Sequence, residues 1–492
     1  MSSNQRYLPI LNAPIVVSKE MQEYLDFYSS LEILIEEEGL ESDYAQRYME
    51  EKRFKYEEKQ KSQNKPVNIT SEKLDSFYFE GEKAFRINLV QQFEGVSYRE
   101  LHILLAGNSF LQNFCRLSNL EKIVIPSKSL LQKYATELTE DQLLKNYECG
   151  VQNIFSGNSS YAPGDLYADT TCIQANMHYP VDWLFIVDGI RTMLKSIKLI
   201  RAQGLKNRMD CPDSFMTRIN KLSIEMSGAS RTQGAKKKRK AVLRKMKDLE
   251  KVVRQHGKRH LDIFMDSWGQ TEYTEGQAEQ IINRLKNVIE LMPKIIWQAH
   301  ERIIGERQVD NAEKILSLYQ KNVHVIVRKK IGAQREFGNQ LLLVEQENGF
   351  IVDYSFNKDK VEHDSKMVPG ILERFKDRFD NKTPDSFCGD RGFSSPTNSK
   401  LLEKENVFNA ICPKSVKELT QRLKENTFRV KLKRRGPNEA RVAIFKNKFS
   451  KVALRVKGYT NRHKAILWGL IAHNLFVQVN AINLEKKLQI AA

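Results

Sequence analysis

Apolar residues recur at helical spacing over most of this 492-residue chain and at extended spacing in only a few short tracts. The opening segment is helical in pattern. It carries an apolar-acidic run from Leu31 to Glu38, then an almost wholly polar stretch from Glu51 to Lys65 that reads as a solvated helix end or linker. From Ala84 onwards Phe85, Leu89, Val90 and Phe93 share one helical face. Glu94-Gly95-Val96 predicts a turn, and Ser97-Tyr-Arg-Glu100 is a capping box opening a second helix with Leu101, Leu104 and Leu105. Helix, glycine turn and capped helix outline a helix-turn-helix over 84–106, and a plain helical bundle fits the same pattern. Past Pro126 a second capping box pairs Ser129 with Gln132, heading a helix with Leu131, Tyr134 and Leu138 on one face.

Between Ser156 and Gly164 the composition turns to Gly, Ser, Asn and Pro, which marks a domain boundary. A short strand, Thr170 to Ile173, is entered directly from Asp169. His178-Tyr-Pro-Val-Asp182 stops it, and Asp182 is placed to cap a helix carrying Leu184, Val187, Ile190 and Leu194. Helix formers then continue to about Leu318, and within them Val242, Met246, Leu249 and Val253 mark an amphipathic helix. After Val323 the period becomes extended: 323–327, 340–344 and 350–356 read as strands, with Glu347-Asn348-Gly349 as a hairpin turn. A helix with Val368, Ile371, Leu372, Phe375 and Phe379 follows, then a short strand, Ser386 to Cys388, ending at Gly389-Asp390. The last hundred or so residues read as helical and close with an apolar helix from Ile466 to Val479. This order predicts a mixed α/β sheet with helices on it.

Charge sharpens the picture. Lys and Arg number 79 against 61 Asp and Glu, a formal +18 that points to a polyanionic partner, nucleic acid first. The densest run, Lys236, Lys237, Lys238, Arg239 and Lys240, makes one side of the amphipathic helix strongly cationic. It is either a solvated face or a phosphate-binding one, where each neutralised phosphate releases a counterion. The start, Met1-Ser-Ser-Asn-Gln-Arg, lacks the basic and apolar regions of a secretory signal. The Ile466–Val479 stretch holds His473, Asn474 and Gln478 and is too short to span a bilayer, so no membrane partner is expected. Six scattered cysteines without a CxxC pair read as reduced intracellular thiols, and no His or Cys cluster suggests zinc.

Three carboxylates stand out by position. Asp169 lies at a strand start beside Thr170 and Thr171. Asp390 lies just past a later strand, before Arg391-Gly392-Phe393. Glu439 lies at a predicted helix start after Gly436-Pro437-Asn438, and no other acid follows it before Glu485. Strand ends and helix starts are where an α/β sheet gathers its site residues. Three hard oxygen ligands can hold one or two Mg²⁺ ions, and two such ions can clamp both oxygens of an in-line phosphoryl displacement. Asp182 and Asp364 read as helix caps more than as metal ligands. Arg391 and Arg335 are candidate phosphate contacts that could instead pair with a neighbouring acid.

From about Leu166 to Val479 the chain resembles the DDE transposases of bacterial insertion sequences, closest to the ISNCY group. The resemblance lies in Ala168-Asp-Thr-Thr171 with His178-Tyr-Pro-Val-Asp182, Arg335-Glu-Phe-Gly-Asn339 and Cys388-Gly-Asp-Arg-Gly-Phe393. It continues in Glu439 with Lys446 and in Ala472-His-Asn-Leu475. The segment Val96-Ser-Tyr-Arg-Glu-Leu101 through Phe114-Cys115 is similar to the family's N-terminal helical region. The resemblance implies an α/β fold: a ribonuclease-H-like mixed sheet with a large helical insertion after its first strand, preceded by an all-helical DNA-binding region. The corresponding divisions are 1–155 for the N-terminal helices, 165–185 with 323–480 for the catalytic core, 186–322 for the basic insertion and 481–492 for a tail.

The resemblance also implies roles. Asp169 would bridge two Mg²⁺ ions, for which Mn²⁺ can substitute, and Asp390 and Glu439 would each complete one of them. Arg435, Glu439 and Lys446 fall at the spacing of the Tyr-Arg-Glu-Lys pattern of related transposases, with Leu432 in the tyrosine place and Gly436-Pro437 expected to break the helix between Arg435 and Glu439. Lys446, Arg391, Arg335 and the 236–240 run would bind DNA. The implied partners are double-stranded transposon ends and target DNA, with a homodimer or larger assembly on DNA. The implied place is the cytoplasm, at the nucleoid if the source is bacterial. A transposase-derived DNA-binding protein without catalysis and a ribonuclease-H-like nuclease are the competing readings.

Overall fold

The computed structural model describes residues 17–491 apart from 119–121, 157–163, 230–233, 312, 321 and 331–332. Among the described residues seven helices come first: α1 (Lys19–Glu37), α2 (Leu40–Ser62), α3 (Ser71–Glu94), α4 (Tyr98–Gly107), α5 (Ser109–Phe114), α6 (Lys128–Thr136) and α7 (Glu140–Ser156). The expected turn and cap between α3 and α4 are present. Gly95 takes a left-handed φ of +62°, and Ser97 and Glu100 cap each other's backbone reciprocally. At α6 the cap is Ser127, whose hydroxyl accepts from the Leu130 amide, and not Ser129, which lies inside the helix.

Strand β1 (Leu166–Gln174) is followed by α8 (Asp182–Ala202), α9 (Pro212–Ala229), α10 (Ala235–Ser267) and α11 (Glu275–Ala299). Then come β2 (His324–Lys330), β3 (Ala333–Glu345), β4 (Ile351–Phe356), α12 (Asp364–Arg378), β5 (Ser386–Gly389), α13 (Pro396–Lys404), β6 (Phe408–Ile411), α14 (Val416–Arg422), α15 (Asn426–Ile444) and α16 (Tyr459–Ala491). The chain divides into two units, residues 1–176 with 338–492, and residues 177–337.

In the first unit the sheet runs β3-β1-β5-β6, with β4 also on β3. β1 is antiparallel to β3 and parallel to β5, and β5 is parallel to β6. The β3–β4 hairpin closes as expected: the Gly349 amide bonds the Gln346 carbonyl at 2.9 Å, and Gly349 takes φ +97°. At the other end of β3, Gly338 faces Gln174 of β1. A Cβ there would lie 2.0 Å from the Ile173 carbonyl oxygen, so only glycine lets the strands approach. The N-terminal helices, the sheet, α12 and α16 share one hydrophobic core that includes Tyr28, Phe85, Leu343, Ile371 and Trp468.

Three expectations change here. β1 is longer than Thr170–Ile173, so Asp169 lies inside the strand and not at its start. Strand β6 occupies a stretch read as helical, because four residues, Phe-Asn-Ala-Ile, carry too little period to betray a strand. Helix α16 has 33 residues, not the short span of Ile466–Val479. By length and composition it could cross a membrane, although 67% of its most apolar window is buried in the protein.

The second unit has its own core, built from α8 to α11. The predicted apolar positions of α10, Val242, Met246, Leu249 and Val253, are all buried in it. Met292 packs over Gly189 of α8, and its sulfur would lie 2.3 Å from a Cβ there, so a larger residue would make the methionine shift. β2 pairs with β3.

Candidate active site

The parallel register of β1 and β5 sets the geometry. Leu166, Tyr167 and Ala168 face Phe387, Cys388 and Gly389, so the next residues on the two chains are Asp169 and Asp390. Strands in register lie about 4.8 Å apart, which places these two acids side by side where the paired stretch ends. Such ends of parallel strands are the usual location of α/β sites. Each carboxylate is oriented by a backbone amide: Asp169 Oδ1 accepts from the Thr170 N–H at 2.8 Å, and Asp390 Oδ1 from the Gly392 N–H at 2.7 Å. Burial pushes the Asp169 carboxyl up to about 6. The Thr170 bond opposes this, the charge of Asp390 adds to it, Arg435 opposes it and Glu439 adds to it. Asp169 therefore feels Asp390, Arg435 and Glu439 together, and these are the acids singled out in the sequence plus one cation.

Helix α15 brings in Glu439. It packs on β1, β5 and β6. Its cations tie it down: Lys431 to Asp165, Arg434 to the Glu347 carbonyl and over the Tyr167 ring at 5.5 Å, and Arg441 to the buried Glu345 at 3.1 Å. The expected break at Gly436-Pro437 does not occur, and Glu439 is far from a helix start. The helix runs on from Asn426 to Ile444 with Pro437 inside it. An interior proline costs about 3 kcal/mol, and the ion pairs on both sides of it hold the helix against the sheet despite that cost. Because the helix is continuous, Arg435 and Glu439 fall one turn apart and form an ion pair. The expected break would have separated Arg435 from Glu439; in the continuous helix Arg435 pairs with Glu439 and its charge is felt by Asp169.

A further acid joins the site that pattern alone assigned to a helix cap. Asp364 opens α12, and Gly392 lies between it and Asp390. A Cβ on Gly392 would sit 2.5 Å from Asp364 Oδ2 and 2.8 Å from Asp390 Oδ1. Asp364 Oδ1 also accepts from Gln340 at 3.3 Å. Spacing could not have found this pair, since 26 positions of helix and strand separate its members. Gly392→Ala is expected to force the two carboxylates apart and lower any activity of the site by roughly 10- to 100-fold, with a destabilisation of about 1–3 kcal/mol. Parallel rate and urea-unfolding measurements check this; an alanine variant of normal rate would mean that the Asp364–Asp390 spacing is immaterial.

The remaining candidates are placed as follows. Lys446 is half-buried in a π-helical turn, Phe445–Phe449, that continues from α15. Arg391 is exposed in the turn after Asp390. Arg335 is exposed on β3 and belongs to the second unit. In that unit Lys236, Lys237, Lys238, Arg239 and Lys240 form the start of α10, where Lys236 and Lys240 reach Glu306 at 3.1 and 2.8 Å. Cations in the first turn of a helix oppose its dipole, and α10 has no acid there to compensate. Asp182 caps nothing; it is buried and accepts from Arg302 at 2.7 Å and Gln298 at 2.7 Å.

The donor chemistry suits a hard cation. Asp169 and Asp390 follow paired positions on neighbouring strands, and Mg²⁺ is commonly held by one or two carboxylates with water and substrate oxygens completing its shell. Among the described residues no three of His, Cys, Asp and Glu stand close enough together to hold an ion, and Glu439 is turned to Arg435.

Compared with known families, residues 319–475 match the transposase DDE domain. The match begins beyond β1, so Asp169 lies outside it, and it does not single out the ISNCY group. No curated protein and no solved structure matches the chain.

Proposed function

Because the chain carries a DDE-type transposase domain over residues 319–475, we propose that it is an insertion-sequence transposase that binds the terminal inverted repeats of its element, cuts there and joins the ends to target DNA. The observation that carries the catalytic part is the register of β1 and β5, which sets Asp169 beside Asp390 from opposite sides of an insertion of more than 150 residues. The strand order β4-β3-β1-β5-β6, antiparallel on one side of β1 and parallel on the other, supports a ribonuclease-H-like core.

In this reading Asp169 and Asp390 hold divalent metal, Mg²⁺ or Mn²⁺, and Glu439 completes the set once it leaves Arg435. Bound there, the metal would supply Lewis acidity that activates water and then a 3′-hydroxyl. The backbone amides of Thr170 and Gly392 fix the two carboxylates, so little reorganisation is left for substrate binding to drive. Arg435 offsets the clustered negative charge until metal or phosphate arrives. Lys446, Arg391, Arg335 and the 236–240 run are the proposed phosphate contacts, and the α3–α4 helix pair is a proposed DNA reader. The chain would act as a dimer or larger assembly when two ends are brought together, in the cytoplasm at the nucleoid.

The test uses a supercoiled plasmid with the native coding region and its flanks, incubated with the protein and Mg²⁺ or Mn²⁺ beside the Asp390→Asn variant. Metal-dependent cuts clustered at inverted repeats and absent with the variant are expected. Equal binding by both proteins without cleavage would leave a DNA-binding derivative of a transposase. Cleavage of an RNA–DNA hybrid in preference to terminal repeats would leave a nuclease.

A further inference from the structure

Between Pro437 and Val442 helix α15 has little to hold it. Pro437 offers no N–H to the Lys433 carbonyl, and Gly436, Pro437, Glu439 and Ala440 are all exposed. Apolar anchoring resumes only at Val442 and Phe445, which are buried. What ties the intervening turn to the sheet is Arg441. Its Nη1 donates to Oε1 of Glu345 at 3.1 Å and to the Glu347 carbonyl at 3.4 Å. Its guanidinium also lies over Gly349, where a Cβ would be only 2.6 Å from Nη1. The Glu345 side chain is 3% exposed. It stands across from Tyr167 of β1 and two residues along β3 from Leu343, the partner of Asp169, so Glu345 shares the face of the sheet that bears this acid.

Glu345 is poised between two states. Burial pushes its carboxyl up to about 7, while the charges of Arg441 and Arg434 and the bond from Arg441 pull it down. Both cations come from α15. β1 adds the buried Tyr167, the turn adds the exposed Glu347, and the β4 partner is the apolar Ile351. Burial disfavours the charged form, but that form draws Arg441; it is present above 7 and lost as pH falls through 7. We infer that the Glu345–Arg441 pair is a proton-sensitive latch that seats the turn of α15 carrying Glu439, which makes Glu345 a positioning residue for the chemistry of the Asp169–Asp390 site. Glu345 acts through Arg441, two positions beyond Glu439. This role rests on Glu439 being the third acid of the site, whereas the latch itself is measurable without any cleavage.

The experiment is hydrogen exchange of the full-length protein, read by mass spectrometry at pH 6 and pH 8 and corrected for intrinsic rates, with Glu345→Gln and Arg441→Met beside the parent. In the parent, peptides covering 439–442 are expected to be about 10-fold better protected at pH 8 than at pH 6, a comparison that needs no variant. In Glu345→Gln they should exchange at both pH values as the parent does at pH 6. Arg441→Met should match it, while β1 and β5 stay as protected as in the parent. On the plasmid substrate at pH 8, Glu345→Gln should need about 10-fold more Mg²⁺ for half-maximal cleavage, as loss of a residue that orients a metal ligand does. At pH 6 the two proteins should need equal Mg²⁺. Exchange at 439–442 that is independent of pH in the parent, or equally pH-dependent in Glu345→Gln, overturns the proposal. So does protection lost evenly across the first unit, as for a purely structural ion pair, or an unchanged Mg²⁺ requirement in a cleaving Glu345→Gln protein. A parent that cuts no DNA yet shows the exchange pattern removes the transposase reading and leaves the latch in place.

Discussion

Asp169→Asn is expected to give a protein that is more stable than the parent and inactive. Burial first, then the charges of Asp390 and Glu439, raise the Asp169 carboxyl from 3.8 to about 6 against the pull of Thr170 and Arg435. A carboxyl raised in the folded state contributes its full stability only below the unfolded value, near 3.8, and loses that contribution as pH rises through 6. At pH 8 the parent fold therefore carries a charge it would hold better as an acid. The asparagine carries none, and its Oδ1 can still accept the Thr170 bond. A shift of about two units bounds the gain at ~3 kcal/mol, and ~1–3 kcal/mol is the expected result in urea at pH 8, shrinking towards pH 4. Added Mg²⁺ should reverse the ranking by stabilising only the parent, as a ligand of the folded state does. Cleavage should fall by at least ~10³-fold. A variant less stable than the parent at pH 8, or one that still gains stability from Mg²⁺, would mean that Asp169 is not the buried charge at the centre of the site.

How far these residues could be read from the sequence depended on how local their determinants are. The β3–β4 hairpin was legible because a change of period and a Glu-Asn-Gly turn lie within a few residues, and the structure keeps both. The Ser97–Glu100 cap was legible for the same reason. Asp169 and Asp390 could be picked out by their positions beside strands, but their adjacency could not, since a self-contained helical unit intervenes and only the strand pairing rejoins them. The path of α15 was misread because proline is a local signal, whereas Lys431–Asp165 and Arg441–Glu345 are tertiary ones that overrode it. Asp364 was misread in the same sense: a carboxylate at a helix start looks like a cap whether or not another acid faces it across a glycine.

Helix α3 hides its chemistry differently, and this underlies the second large effect. Its pattern predicts one buried face at Phe85, Leu89, Val90 and Phe93, yet Arg86, Asn88, Gln91 and Gln92 are buried as well. Arg86 is wholly enclosed. Its Nε and Nη2 donate to the two oxygens of Glu41 at 2.7 and 3.0 Å, and Nη1 donates to Glu32 at 2.8 Å and to the Phe114 carbonyl at 3.1 Å. The guanidinium lies over the Phe114 ring at 5.1 Å. One side chain thus fastens α1, α2, α3 and the end of α5, within the same core that supports the sheet. Arg86→Met keeps the apolar bulk but strands Glu41, which is 5% exposed and among the described residues would retain only Arg116, at 3.3 Å. Removing one partner of such a pair costs about 3–5 kcal/mol, since the other charge stays buried. The expected loss in urea is therefore of that size, larger than for any exposed ion pair here. Arg86→Met/Glu41→Leu should recover most of it, because an apolar pair needs no compensation. A single variant that loses less than ~1 kcal/mol, or a double variant no better than the single, would show that the pair is not what joins these helices. Cleavage should follow stability in this series and recover in the double variant, unlike the Asp169 series, where the two move in opposite directions.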